Sequence, residues 1–283
     1  MRMTSRLCLA RALALAIMGL TMAFSSGVRS ATLKDMVPEK YRDVPIVIGT
    51  TATMPPVESV DQQSGEVVGL EPDLAKAIAA KLGVQVQIKN VAFDGLLAGM
   101  QAGRFDIAMS GLADTVQRQQ AMDFVDWYVS GVQLIVPKGN PKKVIALDSL
   151  CGLTLGGTRG STELRRMEAV AKDCKDHTPT VASENSPAGL LMLKTGRIDA
   201  YAVNYPSGEK YIANNPDAQL IPGQFKVVNR GAAFAKSNAQ LRDAWQAGLK
   251  AVIESGEYDK ILERWGASSA SYKGATVNVA TQD

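Results

Sequence analysis

One stretch constrains this chain more than any other: Asn90 to Gly131, NVAFDGLLAGMQAGRFDIAMSGLADTVQRQQAMDFVDWYVSG. Its apolar spacing changes twice. Leu96, Leu97 and Met100 recur at helical spacing after Phe93-Asp94, and Gly103 offers a left-handed stop. Phe105-Asp106-Ile107-Ala108-Met109 is an apolar run of strand length. Ser110-Gly111-Leu112-Ala113-Asp114-Thr115 then breaks the pattern with small and polar residues. Asp114 or Thr115 can cap the next helix, which carries Arg118. So a strand ends, a polar loop follows, and a guanidinium sits in the first turn of a helix. In open α/β sheets, ligands bind just outside the carboxyl ends of strands. An arginine there presents a planar fork to a carboxylate.

The flanking sequence fits the same architecture. Val44–Gly49 reads as a buried strand, and the two prolines of Thr50–Glu58 end any regular ladder. Glu66–Gly69 reads as the return of a small hairpin. Glu71-Pro72-Asp73 opens a helix with Leu74, Ala77, Ile78 and Leu82 on its apolar face, and Gly83 stops it. Val84–Ile88 alternates as a strand. This succession predicts an α/β fold with mostly parallel strands. Val132–Pro137 is an apolar strand leading out of the unit. Leu153–Gly156 starts a second α/β unit, and Gly160-Ser161-Thr162-Glu163 opens a helix for which Ser161 or Thr162 is a natural N-cap. A helix start with two hydroxyls behind a glycine also suits an anion. Ile198–Val203 is a strand ending at Asn204. Asn238–Ser255 and Glu257–Trp265 are amphipathic helices. Gly266–Asp283 is small, polar and without helical period, and is expected to form a loosely ordered tail.

The amino-terminal segment has the marks of a cleavable secretory signal peptide over residues 1–30. Arg2, Arg6 and Arg11 precede an uncharged run from Ala12 to Phe24, which is too short to span a bilayer, and small residues follow. Cys8 lies before that run, where it cannot serve as a lipidation site. The leader holds four of the 31 basic residues and no acid, so 27 basic residues face 28 acidic ones in the rest. With no basic stripe and no aromatic ladder, nothing points to nucleic acid. Cys151 and Cys174 remain, and an even count in an exported chain implies a disulfide. His177, the single histidine, is remote from the strand ends. No catalytic triad, zinc spacing or phosphate-binding glycine loop is present, so no catalytic residue, metal or cofactor is assigned.

From about Val44 to Trp265 the matched segments together resemble the type II periplasmic amino-acid-binding proteins, solute-binding family 3, which are receptors of ABC importers. The resemblance implies a two-lobed α/β fold. Its first lobe would hold residues 31–136 and 230–265, its second residues 137–229, with the tail at 266–283. Crossings near Val136–Asn140 and Phe225–Gly231 would serve as the hinge. It implies a periplasmic, monomeric receptor for an amino acid or related small carboxylate, with a membrane permease as partner. Arg118 is expected to grip the ligand α-carboxylate. Ser110, Gly111 and Ala113 would line the loop before it, Ser161 and Thr162 would meet the carboxylate, and Phe93 would form an apolar wall.

This chain departs from the family pattern at four of the implied positions. Met54 replaces a covering aromatic, Thr51 replaces an acid that faces cationic side chains, Ala113 replaces a hydroxyl, and Asn204 replaces the Asp that accepts the α-ammonium. The expected pocket suits a monoanion or a neutral-bodied carboxylate better than lysine or arginine. A second reading is an exported dehydratase of the same fold acting on a cyclohexadienyl acid. That reading needs a general acid in the cleft, for which Glu58, Glu71, Glu163 or Asp94 are the available residues. The cysteine assignment is directly checkable: the unreduced mature protein should weigh two hydrogens less than the reduced form, and thiols titrating in the native, unreduced protein would remove it.

Overall fold

The computed structural model describes residues 32–280, so the expected signal peptide at 1–30 lies outside the described residues. Ten strands form one sheet: β1 (Ile46–Thr50), β2 (Val86–Asn90), β3 (Ile107–Ala108), β4 (Met122–Pro137), β5 (Leu155–Thr158), β6 (Thr180–Ser183), β7 (Ala200–Asn204), β8 (Ala218–Leu220), β9 (Phe225–Ala235) and β10 (Ser271–Val277). The order is β2-β1-β3-β9-β4-β7-β5-β6, with β8 and β10 also paired to β4. Pairing is parallel at each end, β1 with β2 and β3, and β5 with β6 and β7. It is antiparallel around β4 and β9 in the middle. Thr53–Met54, Glu58–Val60 and Val67–Val68 form a separate small sheet.

After a one-turn helix at Leu33–Met36, the α-helices among the described residues are α1 (Leu70–Leu82), α2 (Phe93–Gln101), α3 (Val116–Gln119), α4 (Thr162–Asp173), α5 (Ser186–Lys194), α6 (Ser207–Ala213), α7 (Ala239–Glu254) and α8 (Glu257–Arg264). Two sets of apolar side chains are segregated. Ile46, Ile48, Leu74, Ile78, Trp127, Trp245, Leu249 and Tyr258 pack in one core, extended by Leu96, Met100, Phe105 and Phe124. Val132, Leu134, Val136, Leu150, Leu155 and Met167 pack in another, extended by Leu190, Leu193, Tyr201 and Tyr211. Each fully buried Leu or Ile contributes ~1.5–3 kcal/mol relative to exposure. α7 and α8 return the end of the chain to the first core, as their apolar faces require.

β4 joins the two cores. It is a single sixteen-residue strand, almost wholly buried, because Met122–Pro137 has no breaker except Gly131. The sequence places the first crossing near Val136–Asn140. In the structure Val132, Leu134 and Val136 pack in the second core, on the amino-terminal side of that expected crossing. A continuous apolar run does not show where its neighbours change. Cys151 and Cys174 are bonded, with Cα atoms 5.4 Å apart and a sequence separation of 23. That loop length corresponds to ~3 kcal/mol in the chain-entropy model.

The tail requires a second correction. Ser271–Val277 is not loosely ordered but forms β10, antiparallel to β4, with Thr276 opposite Asp126 and Val277 opposite Val125. Ala275 is fully buried, and the Tyr258 hydroxyl accepts the Tyr272 N–H. Tyr272, Thr276 and Val277 are strand formers whose short alternation is diluted by serine, lysine and glycine. Asn278 fastens the end, accepting the Phe124 N–H at 2.7 Å and donating to Asp123 at 2.9 Å. Asn278→Ala removes both bonds and puts alanine at a φ of 54°. The two losses act in one direction, ~2–4 kcal/mol together. The midpoint of urea unfolding should fall accordingly, and an unchanged midpoint would show that β10 adds nothing to the fold.

Candidate ligand-binding site

Several element ends converge where the two cores meet. Thr51 follows β1, Met54 ends the first strand of the small sheet, and Phe93 opens α2. Ser110 and Gly111 follow β3, and Arg118 sits in α3. From the other side come Ser161–Glu163 at the start of α4, Ser186 at the start of α5 and Asn204 at the end of β7. Together with Thr53, Thr158, Ala202 and Val203 they line a cavity of about 40 Å³. Of the ten residues the sequence singles out for a ligand, nine are on its wall. A wider groove of about 440 Å³ lies between α4, β9 and the Val279–Ala280 end, but Thr162 is the single one of the ten that it shares.

The tenth residue is a correction. Ala113 is buried but not on the cavity wall. Its backbone bridges to Arg230 and its carbonyl accepts from Arg118, so the residue secures the loop from behind. Arg118 is held by the fold rather than lying on the surface. Thr115 caps α3 by accepting the Arg118 N–H, and the Arg118 side chain is buried. One Nη donates to the Ala113 carbonyl at 2.9 Å and the other reaches the Gly160 carbonyl at 3.4 Å. Asp114 does not pair with it but accepts from Gln119 and from the Ala280 N–H. Burial, with Arg165 and Arg230 close by, lowers the Arg118 pKa to about 9. An incoming carboxylate would relieve that crowding of cations.

The loop after β3 is fixed by groups that the sequence names only as possible acids or misses. Ser110 Oγ donates to Glu58 at 2.7 Å and meets Thr51 Oγ1 at 2.9 Å. The Gly111 N–H, expected to face a ligand, donates to both oxygens of Glu71 at 3.2 Å. Its carbonyl accepts from Arg230 at 2.6 Å. Gly111 has φ 57°, and a Cβ there would stand 2.6 Å from Met54 Cε and 2.7 Å from Asn204 Nδ2. Glycine is therefore required both by conformation and by space. Arg230 also pairs with Glu163 at 2.6 Å, both side chains buried. A charged residue inside VVNRGAAFA, a strand otherwise heading into a core, is the signal by which Arg230 stands out in the sequence.

At α4, Ser161 is the N-cap, accepting the Leu164 N–H at 3.0 Å. Ser161, Thr162 and Glu163 line the cavity, so the amino-terminal end of the helix, with its partial positive charge, lies beside it. Asn204 is 3% exposed and its Oδ1 has no hydrogen-bond partner. It is the unused acceptor on a wall otherwise rich in donors and hydroxyls.

The family model for bacterial extracellular solute-binding proteins, family 3, matches residues 46–268, and the chain belongs to that family. It is 32% identical over 227 residues to a probable histidine-binding protein of Neisseria gonorrhoeae, covering 78% of this chain and 82% of the relative. It is 24% identical over 261 residues to the L-cystine-binding protein TcyJ of Escherichia coli K12, covering 91% and 96%. Among solved structures, an ancestral arginine-binding protein bound to arginine superposes with a TM-score of 0.74 at 33% identity, covering 78% of this chain and 97% of that one. The fold is accordingly the two-lobed α/β fold of periplasmic binding proteins.

Burial raises Glu58 from its ordinary 4.5 to about 8 against the opposing bonds from Ser110 and Thr51, and one of its oxygens has no partner. Burial and then Glu58 raise Glu71 as well. Below its ordinary value Glu58 is neutral whether folded or not. As pH climbs toward 8 the unfolded chain releases a proton that the folded protein keeps, so stability falls across that window. Urea midpoints measured from about pH 5 to 8 should therefore decline, and Glu58→Gln should flatten the decline while Glu71 retains part of it. A flat wild-type profile would show that these carboxyls ionise normally.

Proposed function

We propose that this chain is the periplasmic receptor of an ABC importer, capturing an amino acid or related small carboxylate between two closing lobes and delivering it to a membrane permease. The observation that carries this reading is the convergence on one cavity of the Arg118 fork, the capped start of α4 and the unpartnered Asn204 Oδ1. Arg118 and the first-turn N–H groups of α4 hold the carboxylate. Asn204 Oδ1 accepts an ammonium, and Phe93 with Met54 covers the body. The first lobe comprises residues up to about Gly131 with Arg230 onward, including β10, and the second lies between. β4 and β9 are the hinge. A cavity of about 40 Å³ is far below the ~300–1,000 Å³ of ordinary ligand pockets, which supports opening before a ligand enters.

The relatives' names favour amino acids, arginine, cystine and histidine among them. For this chain the wall favours a neutral body, because Thr51 and Asn204 stand where acids would receive a cation. The dehydratase reading is weaker. Glu58 and Glu71 hold their protons but lie behind Ser110 and Gly111, off the cavity wall. Glu163 is on the wall, but against the upward push of burial its pairing with Arg230 keeps it ionised, so it has no proton to give.

Calorimetric titration with a panel of amino acids and desamino carboxylates tests this reading, together with mass spectrometry of what the purified protein carries. Arg118→Ala should nearly abolish binding, a loss of roughly 3–5 kcal/mol for a broken buried charge pair. Arg118→Lys keeps the charge but loses the fork and should weaken binding clearly. Normal binding by both variants would remove Arg118 from the site, and turnover of a bound acid would replace the receptor reading with the enzymatic one.

A further inference from the structure

Among the described residues two charged side chains line the cavity, Arg118 and Glu163. A pocket for a cationic side chain needs a carboxylate with an oxygen to spare, and Glu163 is the one carboxylate on this wall. Each of its oxygens already accepts a hydrogen bond from the protein. Oε1 accepts from Arg230 at 2.6 Å and Oε2 accepts from Thr162 at 3.2 Å. Arg230 is placed there firmly. It belongs to β9, its backbone bridges to Ala113, and its second Nη donates to the Gly111 carbonyl at 2.6 Å. Its Nε is buried without a hydrogen-bond partner, an unmet donor that stability alone does not favour. Glu163 and Arg230 lie on opposite sides of the cleft, at the start of α4 and on β9. The pairing therefore neutralises the wall at the point where the two sides meet.

We infer that Arg230 is a specificity-determining residue: by occupying Glu163 from behind the wall it withholds the cavity's only carboxylate from the ligand and excludes amino acids with cationic side chains. This rests on the receptor reading above and narrows it to a substrate class, amino acids with an uncharged body. A cationic body entering the closed cavity meets Arg118 and a neutral pair, with no net negative charge to replace its lost water. A neutral body of the same shape meets no such cost.

Isosteric pairs isolate charge from size. Arginine with citrulline makes a long pair, and 2,4-diaminobutyrate with homoserine a short one. In the wild type, calorimetry should show the neutral member bound tighter in whichever pair fits. Arg230→Met frees Glu163 and should move the cation-to-neutral affinity ratio up by about tenfold or more, roughly 1.4 kcal/mol per factor of ten. Glu163→Gln leaves Arg230 uncompensated and should move the ratio down, so it carries the test in the opposite sense should Arg230→Met fail to fold. The double variant, neutral at both positions, should fold and return the ratio toward the wild-type value. A merely structural role for Arg230 would weaken both members of a pair equally and leave the ratio fixed. Tighter binding of arginine than citrulline by the wild type, or a ratio unmoved in the single variants while neutral amino acids still bind, overturns this inference and leaves the receptor reading intact. Failure of the wild type to bind any amino acid overturns both.

Discussion

The peptide of Gly111 is the point on which the site depends. Its N–H is held by Glu71 and its carbonyl by Arg230, so both of its polar groups are committed to buried charged or chargeable side chains. Next to it, Ser110 is tied to Glu58. The loop after β3 therefore has little freedom, although nothing in its sequence, Ser-Gly-Leu-Ala-Asp, is intrinsically rigid. A binding wall made of small residues needs such outside restraint, because a loop free to sample many conformations would lose entropy on meeting a ligand. In the proposed receptor, the acids and the arginine behind the wall would supply the preorganisation, and the hydroxyls and amides on the wall the contacts.

The Arg230–Glu163 pair has a different consequence. Buried ion pairs are poor sources of net stability, because desolvation offsets much of their attraction, while removing one partner is costly. The pair is better understood as fixing register. It ties β9, which runs back into the first core, to the start of α4, which belongs to the second unit. In the proposed receptor, lobe closure then has a defined end point, set by a short charge-assisted contact rather than by apolar packing that could slide. Opening requires that contact to exchange for water, which limits the cost because both groups hydrate well.

The sequence displays the fold and most of the cavity wall because both rest on local signals. Strand-length apolar runs, glycine stops and hydroxyl caps mark the α/β units, and nine of the ten residues singled out from the sequence lie on the cavity wall, at or near strand and helix ends that those signals mark. What was illegible is non-local. Glu58 and Glu71 become loop anchors only when the small sheet and α1 fold against the loop after β3. Arg230 becomes a site residue only when β9 lies beside β4. Ala113 was misplaced because whether a loop residue faces a cavity depends on the strand it pairs with. The tail was misjudged for a similar reason. β10 has too few strand formers to stand alone, and its order comes from pairing with the already buried β4 and from the bonds of Asn278.

Asn204 gains a physical reason from the same surroundings. Its Nδ2 lies on the side of Gly111 where a Cβ would stand, 2.7 Å from that position, while the Glu71 carboxyl accepts the Gly111 N–H, one reaching the residue from β7 and the other from α1. Behind that peptide, burial already keeps Glu58 and Glu71 above the ordinary carboxylate range. An aspartate at 204 would bring a further carboxyl toward two that cannot comfortably ionise, and like charges in such a space push one another toward the neutral acid. A neutral acid makes a poor partner for an ammonium. The amide avoids that competition: its carbonyl stays an acceptor whatever the protonation of its neighbours, and its N–H side remains compatible with the loop. Seen this way, Asn204 and the buried acids are one arrangement, in which negative charge is moved off the cavity wall and the wall itself is left polar, donor-rich and uncharged apart from Arg118 and the neutralised Glu163.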